Sequence, residues 1–486
     1  MEYTSTRDDT LRVSASEAIV KGLAPDGGLF VPAEFPRVSP EAFYGLTYPQ
    51  TAEKILRLFL TDYDPAFLKT AVEQAYGADR FSGKAGFLAH VEERLWSLEL
   101  WHGPTCAFKD YALQLMPKLF VEAKKNLGDT GTTKILVATS GDTGKAALAG
   151  YAGLPGIRIA VFYPDAGTSE VQRLQMATQE GENVAVYAVR GNFDDTQTGV
   201  KRVFADLALA ERLAQKNERL SSANSINWGR LVPQIIYYFY SYAQLVAQNG
   251  VAAGDAVDYC IPTGNFGDIL AGYYAKRMGL PVGRLICASN RNNVLTEFLA
   301  TGRYDVRRPF YKTESPSMDI LVSSNLERLL YHTTQDAAAV AAWMAQLTQD
   351  GFYTLPEDVL SQIREIFLGA CADDAQGREE IRARFAQNSY LCDTHTAVAF
   401  CAARTAMPTT ASPCVVFSTA SPYKFPCAVL GALGEEGAVD EFDAMQRLMK
   451  KTNVPVPESL ASLREKDVRF TDVIGKNEIP QIAFSL

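Results

Sequence analysis

Lys109 stands between Phe108 and an apolar run, in the segment Gly103-Pro104-Thr105-Cys106-Ala107-Phe108-Lys109-Asp110-Tyr111-Ala112-Leu113. A lysine so placed can be desolvated, which lowers its pKa and leaves a nucleophilic free amine. A Schiff base with an aldehyde cofactor requires such an amine. A solvated lysine at a helix start satisfies the same pattern.

Four other segments offer ligands for anions. In Val137-Ala138-Thr139-Ser140-Gly141-Asp142-Thr143-Gly144-Lys145, a strand ends and hydroxyls, glycines and a carboxylate precede an alanine-rich helix. Free N–H groups at a helix start favour an anion, and Ser140 and Thr143 can add donors. The same residue types also serve as plain N-caps. The Walker frame is absent. In Pro262-Thr263-Gly264-Asn265-Phe266-Gly267-Asp268, two glycines three apart let backbone N–H groups approach a phosphate. A tight strand-to-helix turn uses the same residues, and the Gly-x-Gly-x-x-Gly fingerprint of dinucleotide sites is missing. Asn224-Ser225-Ile226-Asn227-Trp228-Gly229-Arg230 combines two amides, a hydroxyl and an arginine able to hold phosphate bidentately, or forms a surface loop. Ser418-Thr419-Ala420-Ser421-Pro422-Tyr423-Lys424-Phe425-Pro426 places hydroxyls and a lysine at another strand end.

These segments need elements to position them. Apolar runs at 134–138, 158–162, 184–189, 256–261, 284–288 and 414–418 alternate with amphipathic helices, the pattern of parallel strands covered on both faces. The fold class expected is α/β: two doubly wound parallel-sheet domains plus a mainly helical N-terminal domain. The boundaries expected are 1–97 for the N-terminal domain, 98–130 with 255–430 for a large domain, 131–254 for a small one, and 431–486 for a helical C-terminal extension. Ligands of open parallel sheets bind beyond the carboxyl ends of the strands, where most of these segments lie.

Composition narrows the function. The 486 residues imply several domains. A net charge of −9 argues against a nucleic-acid footprint but leaves room for one small anion. The eight cysteines form no C-x-x-C pair and the four histidines are scattered, so no metal site is expected. No apolar run approaches about 18 residues, and the start of the chain has no apolar secretory region, so no membrane span and a cytoplasmic location are expected.

Five motifs occur together and in order: Gly-Pro-Thr-x-Ala-Phe-Lys-Asp, Ala-Thr-Ser-Gly-Asp-Thr-Gly, Asn-Ser-Ile-Asn-Trp, Pro-Thr-Gly-Asn-Phe-Gly-Asp and Ser-Thr-Ala-Ser-Pro-Tyr-Lys-Phe-Pro. With Gly-Leu-Ala-Pro-Asp-Gly-Gly-Leu-Phe-Val-Pro near the N-terminus, they resemble the threonine synthase family, fold-type II pyridoxal-phosphate enzymes, in its bacterial and fungal branch. The resemblance implies pyridoxal phosphate as cofactor, O-phosphohomoserine and water as substrates, and threonine and phosphate as products. It implies that Lys109 carries the cofactor beside Phe108, and that Gly264, Asn265, Phe266, Gly267 and Asp268 hold its phosphate. Thr419 would bond the pyridine nitrogen. Ser140, Asp142 and Thr143 would meet the amino-acid part of the substrate, and Asn224, Ser225 and Arg230 its phosphate. No nucleic acid or membrane partner is implied, and the chain is expected as a monomer or homodimer. Many family members carry a small residue at Lys145 and a histidine at Ser421. A serine or threonine dehydratase and a non-catalytic ligand-binding paralogue are the competing readings.

Overall fold

All six apolar runs are strands, and they sort into two sheets. The computed structural model describes residues 1–486 except Ser140, Ala166, Gly167, Asn192 and Thr410, and omits the side chains of Phe193, Asp194 and Thr409. Along the chain, β1 (Tyr3–Ser5) pairs antiparallel with β2 (Phe30–Pro32). Next come β3 (Phe87–Glu92), β4 (Leu95–Glu99), β5 (Thr132–Ala138), β6 (Ile157–Pro164), β7 (Val184–Val189) and β8 (Glu218–Ser221). They are followed by β9 (Val257–Pro262), β10 (Val282–Ser289), β11 (Arg303–Asp305), β12 (Phe352–Thr354), β13 (Phe367–Cys371), β14 (Cys414–Ser418) and β15 (Val473–Ile474).

The large sheet has the order β13-β10-β9-β14-β4-β3, parallel except for the β3–β4 edge. The small sheet, β15-β7-β6-β5-β8, is parallel throughout. Central strands such as β9 and β14 are buried along their whole length, which is why they read as continuous apolar runs rather than alternating ones. The fold is α/β, with two doubly wound domains and a mainly helical N-terminal region. Among the described residues, no helix is long and apolar enough to cross a membrane.

The N-terminal region builds helices Ala15–Lys21, Tyr48–Phe59 and Pro65–Tyr76. The first two begin with reciprocal capping boxes, Ser14 with Glu17 and Thr47 with Gln50. The third begins at Asp64 with Pro65 behind it, a residue with no N–H to leave unsatisfied.

The expected domain boundaries need three corrections. β3 and β4 pair with the large sheet, so that sheet starts before residue 98. Helix Trp228–Ala247 was expected in the small domain but packs between Tyr48–Phe59 and Gly267–Met278. It is apolar on nearly every face, so it must be covered on several sides. The C-terminal extension is not wholly helical: β15 adds a strand to the small sheet at β7. Helix Ile479–Ser485 follows it and is tied down by Lys134 Nζ, which donates to the Phe484 carbonyl at 2.7 Å.

Candidate active site

Three neighbouring strands, β9, β14 and β4, run parallel and end on one side of the large sheet. The glycine turn at 264–267 follows β9, Thr419 follows β14, and the turn leading to Lys109 follows β4. Segments far apart in sequence are thereby brought to one edge.

The turn before Lys109 is tightly built. Asp110 accepts from the Thr105 backbone N–H at 2.9 Å and from its hydroxyl at 2.8 Å. Cys106 adopts a left-handed conformation, φ 59°. The Phe108 N–H donates to the Thr419 carbonyl at 2.8 Å, fastening this turn to the end of β14. Lys109 then opens helix Lys109–Leu113, half-buried, with its amine 4.5 Å from the centre of the Phe108 ring. No hydrogen bond or ion pair engages that amine among the described residues. Desolvation pushes its pKa below the usual lysine range; Asp142 opposes this, and Arg230 and Lys424 reinforce it.

The glycine turn has the form of an anion cradle, with a row of unengaged N–H groups at a helix start. Phe266, left-handed at φ 64°, turns the chain into helix Gly267–Met278, whose first residues lack a side-chain cap. The N–H groups of Gly264, Asn265, Phe266 and Gly267 donate to no acceptor among the described residues, and the helix start adds its partial positive charge. A methyl group at Gly264 would come within 2.9 Å of the Ser317 carbonyl, so only glycine fits there. Asn325 Nδ2 fixes the turn from behind by donating to the Asn265 carbonyl at 3.0 Å. Asp268 is buried, which pushes its carboxyl up to about 7, with the Ile269 N–H and Lys109 pulling the other way.

The 224–230 turn lies alongside. Ser225 Cβ is 3.9 Å from where a side chain would begin at Gly267. Asn227 caps helix Trp228–Ala247, its side chain accepting from Gly229 N, and donates to the Ile19 carbonyl, so it is structural. Arg230 is buried and donates from Nη1 to the Ala223 carbonyl at 2.5 Å, while its Nε is buried with no partner. Burial brings its pKa down to about 10. The side chains of Asn224 and Ser225 have no partner among the described residues.

Of the loop after β5, Ser140 lies outside the described residues. Asp142 opens helix Asp142–Tyr151, and both of its oxygens are engaged. Oδ1 lies 2.6 Å from Lys424 Nζ and accepts from Gln172 Nε2 at 2.8 Å; Oδ2 accepts from Ser317 Oγ at 3.4 Å. Burial would raise its pKa, but Lys424, Lys109 and these hydrogen bonds hold it well below the carboxylate range. The Thr143 hydroxyl meets no described group. Lys145 turns to Gln179, donating at 2.6 Å, and burial beside Lys466 brings it down to about 8. Ser421 is buried and caps the turn at Pro422, accepting from the Tyr423 N–H at 3.3 Å.

Residues 2–76 match the threonine synthase N terminus, residues 84–418 the pyridoxal-phosphate dependent enzymes, and residues 396–482 the threonine synthase C-terminal family. The chain is 37% identical to a threonine synthase of Pseudomonas aeruginosa, over 99% of this chain and 97% of that one. The chain belongs to the threonine synthase family. A crystal structure of a pyridoxal-phosphate-bound threonine synthase from Brucella melitensis superposes with a TM-score of 0.88 at 37% identity, covering 100% of this chain and 99% of that one. Human threonine synthase-like 1 is 40% identical over 89% of this chain, which spans about 60% of that relative's length.

Residues 84–418 match the pyridoxal-phosphate dependent enzymes, and the residues of this site fit that cofactor. Among the described residues, the Lys109 amine, the N–H groups of Gly264 to Gly267 and the Thr419 hydroxyl have no hydrogen-bond partner, and they stand at the ends of adjacent strands.

Sequence motifs did not point to Gln172, Ser317, Asn325 or Arg328. Arg328 Nε donates to the Phe30 carbonyl at 2.9 Å and Nη2 to the Ile226 carbonyl at 2.6 Å, and Nη1 bonds Asn325 Oδ1. Gln172 and Arg328 lie inside helices and carry no local signal, whereas Ser317 and Asn325 lie in a hydroxyl-rich segment after β11, with Thr313, Ser315, Ser323 and Ser324, which was the signal that could have found them.

Proposed function

We propose that this chain converts O-phosphohomoserine and water into threonine and phosphate. The observation that carries this reading is the second anion site. Arg230, with a buried and unpartnered Nε, and the free side chains of Asn224 and Ser225 stand beside the glycine cradle. One cradle serves the cofactor phosphate and the other the substrate phosphate, an arrangement suited to a substrate with a phosphorylated side chain.

Pyridoxal phosphate, when bound, supplies an electron sink for the substrate's α-carbon. Lys109 anchors it beside Phe108, the N–H groups of residues 264–267 hold its phosphate, and the Thr419 hydroxyl meets its ring nitrogen. A neutral hydroxyl there leaves that nitrogen largely unprotonated. Asp268 closes the cradle at the helix start. The Thr143 hydroxyl and the N–H groups opening helix Asp142–Tyr151 are suited to the substrate carboxylate, and Ser140 and Asp142 are assigned to the same part of the substrate. The Lys109 amine, its pKa lowered by desolvation, removes the proton at Cα and carries protons between substrate carbons. Arg230 stabilises the phosphate as it leaves Cγ, and water adds at Cβ.

The eight unpaired cysteines support a reducing, cytoplasmic setting, and the negative net charge supports small-molecule substrates without a nucleic-acid partner. A monomer or homodimer is the expected assembly.

The test is release of phosphate and threonine from O-phosphohomoserine by the cofactor-loaded protein. Equal amounts support the reading. Phosphate with a keto acid in place of threonine would remove the water-addition step, and activity on serine or threonine alone would replace the reading with a dehydratase.

A further inference from the structure

Lys424 lies fully buried within the turn after β14, and nothing in the proposed reaction uses it. A buried cation needs a strong structural reason. Its Nζ sits 2.6 Å from Asp142 Oδ1 and donates to the Thr105 carbonyl at 3.1 Å. Thr105 belongs to the turn that presents Lys109; Asp142 belongs to the small domain. A second small-domain residue, Gln175, donates to the same Thr105 carbonyl at 3.2 Å. Gln172, on the same helix as Gln175, holds Asp142 Oδ1 at 2.8 Å. Lys424 is therefore the point at which the small domain, the end of β14 and the Lys109 turn are joined.

The charges give this joint a second consequence. The groups acting on the Lys109 amine are Asp142, Arg230, Lys424 and Asp268. Those acting on or near Lys424 include Asp142, Asp110 and Lys145. Without Lys424, the carboxylate of Asp142 would be left in the cleft with Lys109 as its remaining cation. An ion pair of that kind favours the ammonium form, which cannot attack an aldehyde.

We propose that Lys424 is a positioning residue for Lys109: by engaging Asp142 it keeps that carboxylate from pairing with the Lys109 amine, and it locks the small domain onto the turn that presents the amine. The proposal rests on Lys109 being the cofactor-carrying lysine. Borohydride reduction of the cofactor-loaded wild-type protein, followed by peptide mass spectrometry, tests that premise separately.

The proposal itself is tested on the apoprotein, without turnover. The rate at which Lys109 is acetylated by acetic anhydride is measured against pH, with the Lys109 peptide quantified by mass spectrometry. Lys424→Gln retains a hydrogen-bond donor but removes the charge. Its Lys109 midpoint should rise by about one pH unit or more, the usual effect of a close carboxylate. Asp142→Asn combined with Lys424→Gln is a neutral pair, and its midpoint should return to the wild-type value or below. Cofactor affinity of the apoprotein at pH 7 should follow the same order, with the difference between variants vanishing at a pH above both measured Lys109 midpoints. Lys424→Arg, which keeps the charge, should leave the midpoint in place and serves if the glutamine variant does not fold. An unmoved midpoint in Lys424→Gln, a double variant that stays with the single one, or a raised midpoint in Lys424→Arg would each overturn the proposal.

Discussion

Asp110 accepts both the backbone N–H and the hydroxyl of Thr105, at 2.9 and 2.8 Å, and so closes the turn from which Lys109 emerges. The residue next to the lysine thus holds the chain that delivers it. Asp110→Asn leaves one acceptor oxygen for two donors and turns an NH2 group toward them. A buried donor left unsatisfied costs about 1–3 kcal/mol. Denaturant unfolding of the apoprotein should show a loss of that size, with a lower kcat in the loaded enzyme. Unchanged stability and kcat would mean that the turn is held by other contacts.

Lys109→Ala removes the amine but leaves the cradle at 264–267 intact. The variant should still take up pyridoxal phosphate, more weakly, without the near-visible absorbance of the lysine-bound cofactor. Turnover should fall by at least about 10²–10⁴-fold, the range for loss of a positioned base. Turnover near wild type would assign proton transfer to another group.

The segments at 137–145, 262–268 and 418–426 were legible because each follows an apolar run that reads as a buried strand, whereas the Lys109 and 224–230 segments follow none of the six runs. The sequence did not reveal their order in space. β14 lies between β9 and β4, although it comes last of the three in the chain, and this insertion sets Thr419 beside the Lys109 turn. For Asp142, the family resemblance implies a contact with the substrate. Its partners Lys424, Gln172 and Ser317 come from three separate segments, and no local spacing announces a contact made by tertiary folding. Helix Trp228–Ala247 packs on Tyr48–Phe59 and Gly267–Met278 rather than in the small domain for a related reason: an apolar helix signals burial without naming what covers it.

Asp268 gives a pH-dependent prediction. Burial raises its carboxyl from the ordinary aspartate range to about 7. A group whose pKa is raised on folding stabilises the fold fully at acid pH, below its unfolded value. That contribution is lost as pH climbs through the folded value. Across the window from about 4 to 7, the wild-type apoprotein should lose roughly 1.4 kcal/mol per pH unit relative to Asp268→Asn, as an upper bound. The two proteins should have matching Tm values near pH 4, with the asparagine variant ahead at pH 8. Parallel Tm curves across that window would show that Asp268 stays ionised throughout.

Arg328 supplies the reason an N-terminal region belongs to this active site. Its buried guanidinium reaches the carbonyl of Phe30 on β2, the carbonyl of Ile226 in the turn proposed for the substrate phosphate, and Asn325, which in turn holds the Asn265 carbonyl of the turn proposed for the cofactor phosphate. One side chain therefore sets the spacing of two anion sites and ties both to the N-terminal region. Lysine cannot make three diverging planar hydrogen bonds, so Arg328→Lys is not a conservative change. At least one buried acceptor would lose its donor, at about 1–3 kcal/mol. Because both anion sites depend on the spacing, cofactor affinity and substrate KM should weaken together, by roughly tenfold each if about 1.4 kcal/mol of that cost falls on each site. At saturation with both, kcat should fall less, since the Lys109 turn is held by Asp110 and Thr419 instead. The N-terminal region should also become more open to limited proteolysis. A variant that loses kcat while keeping both affinities would place Arg328 on the reacting groups rather than on the spacing of the two sites.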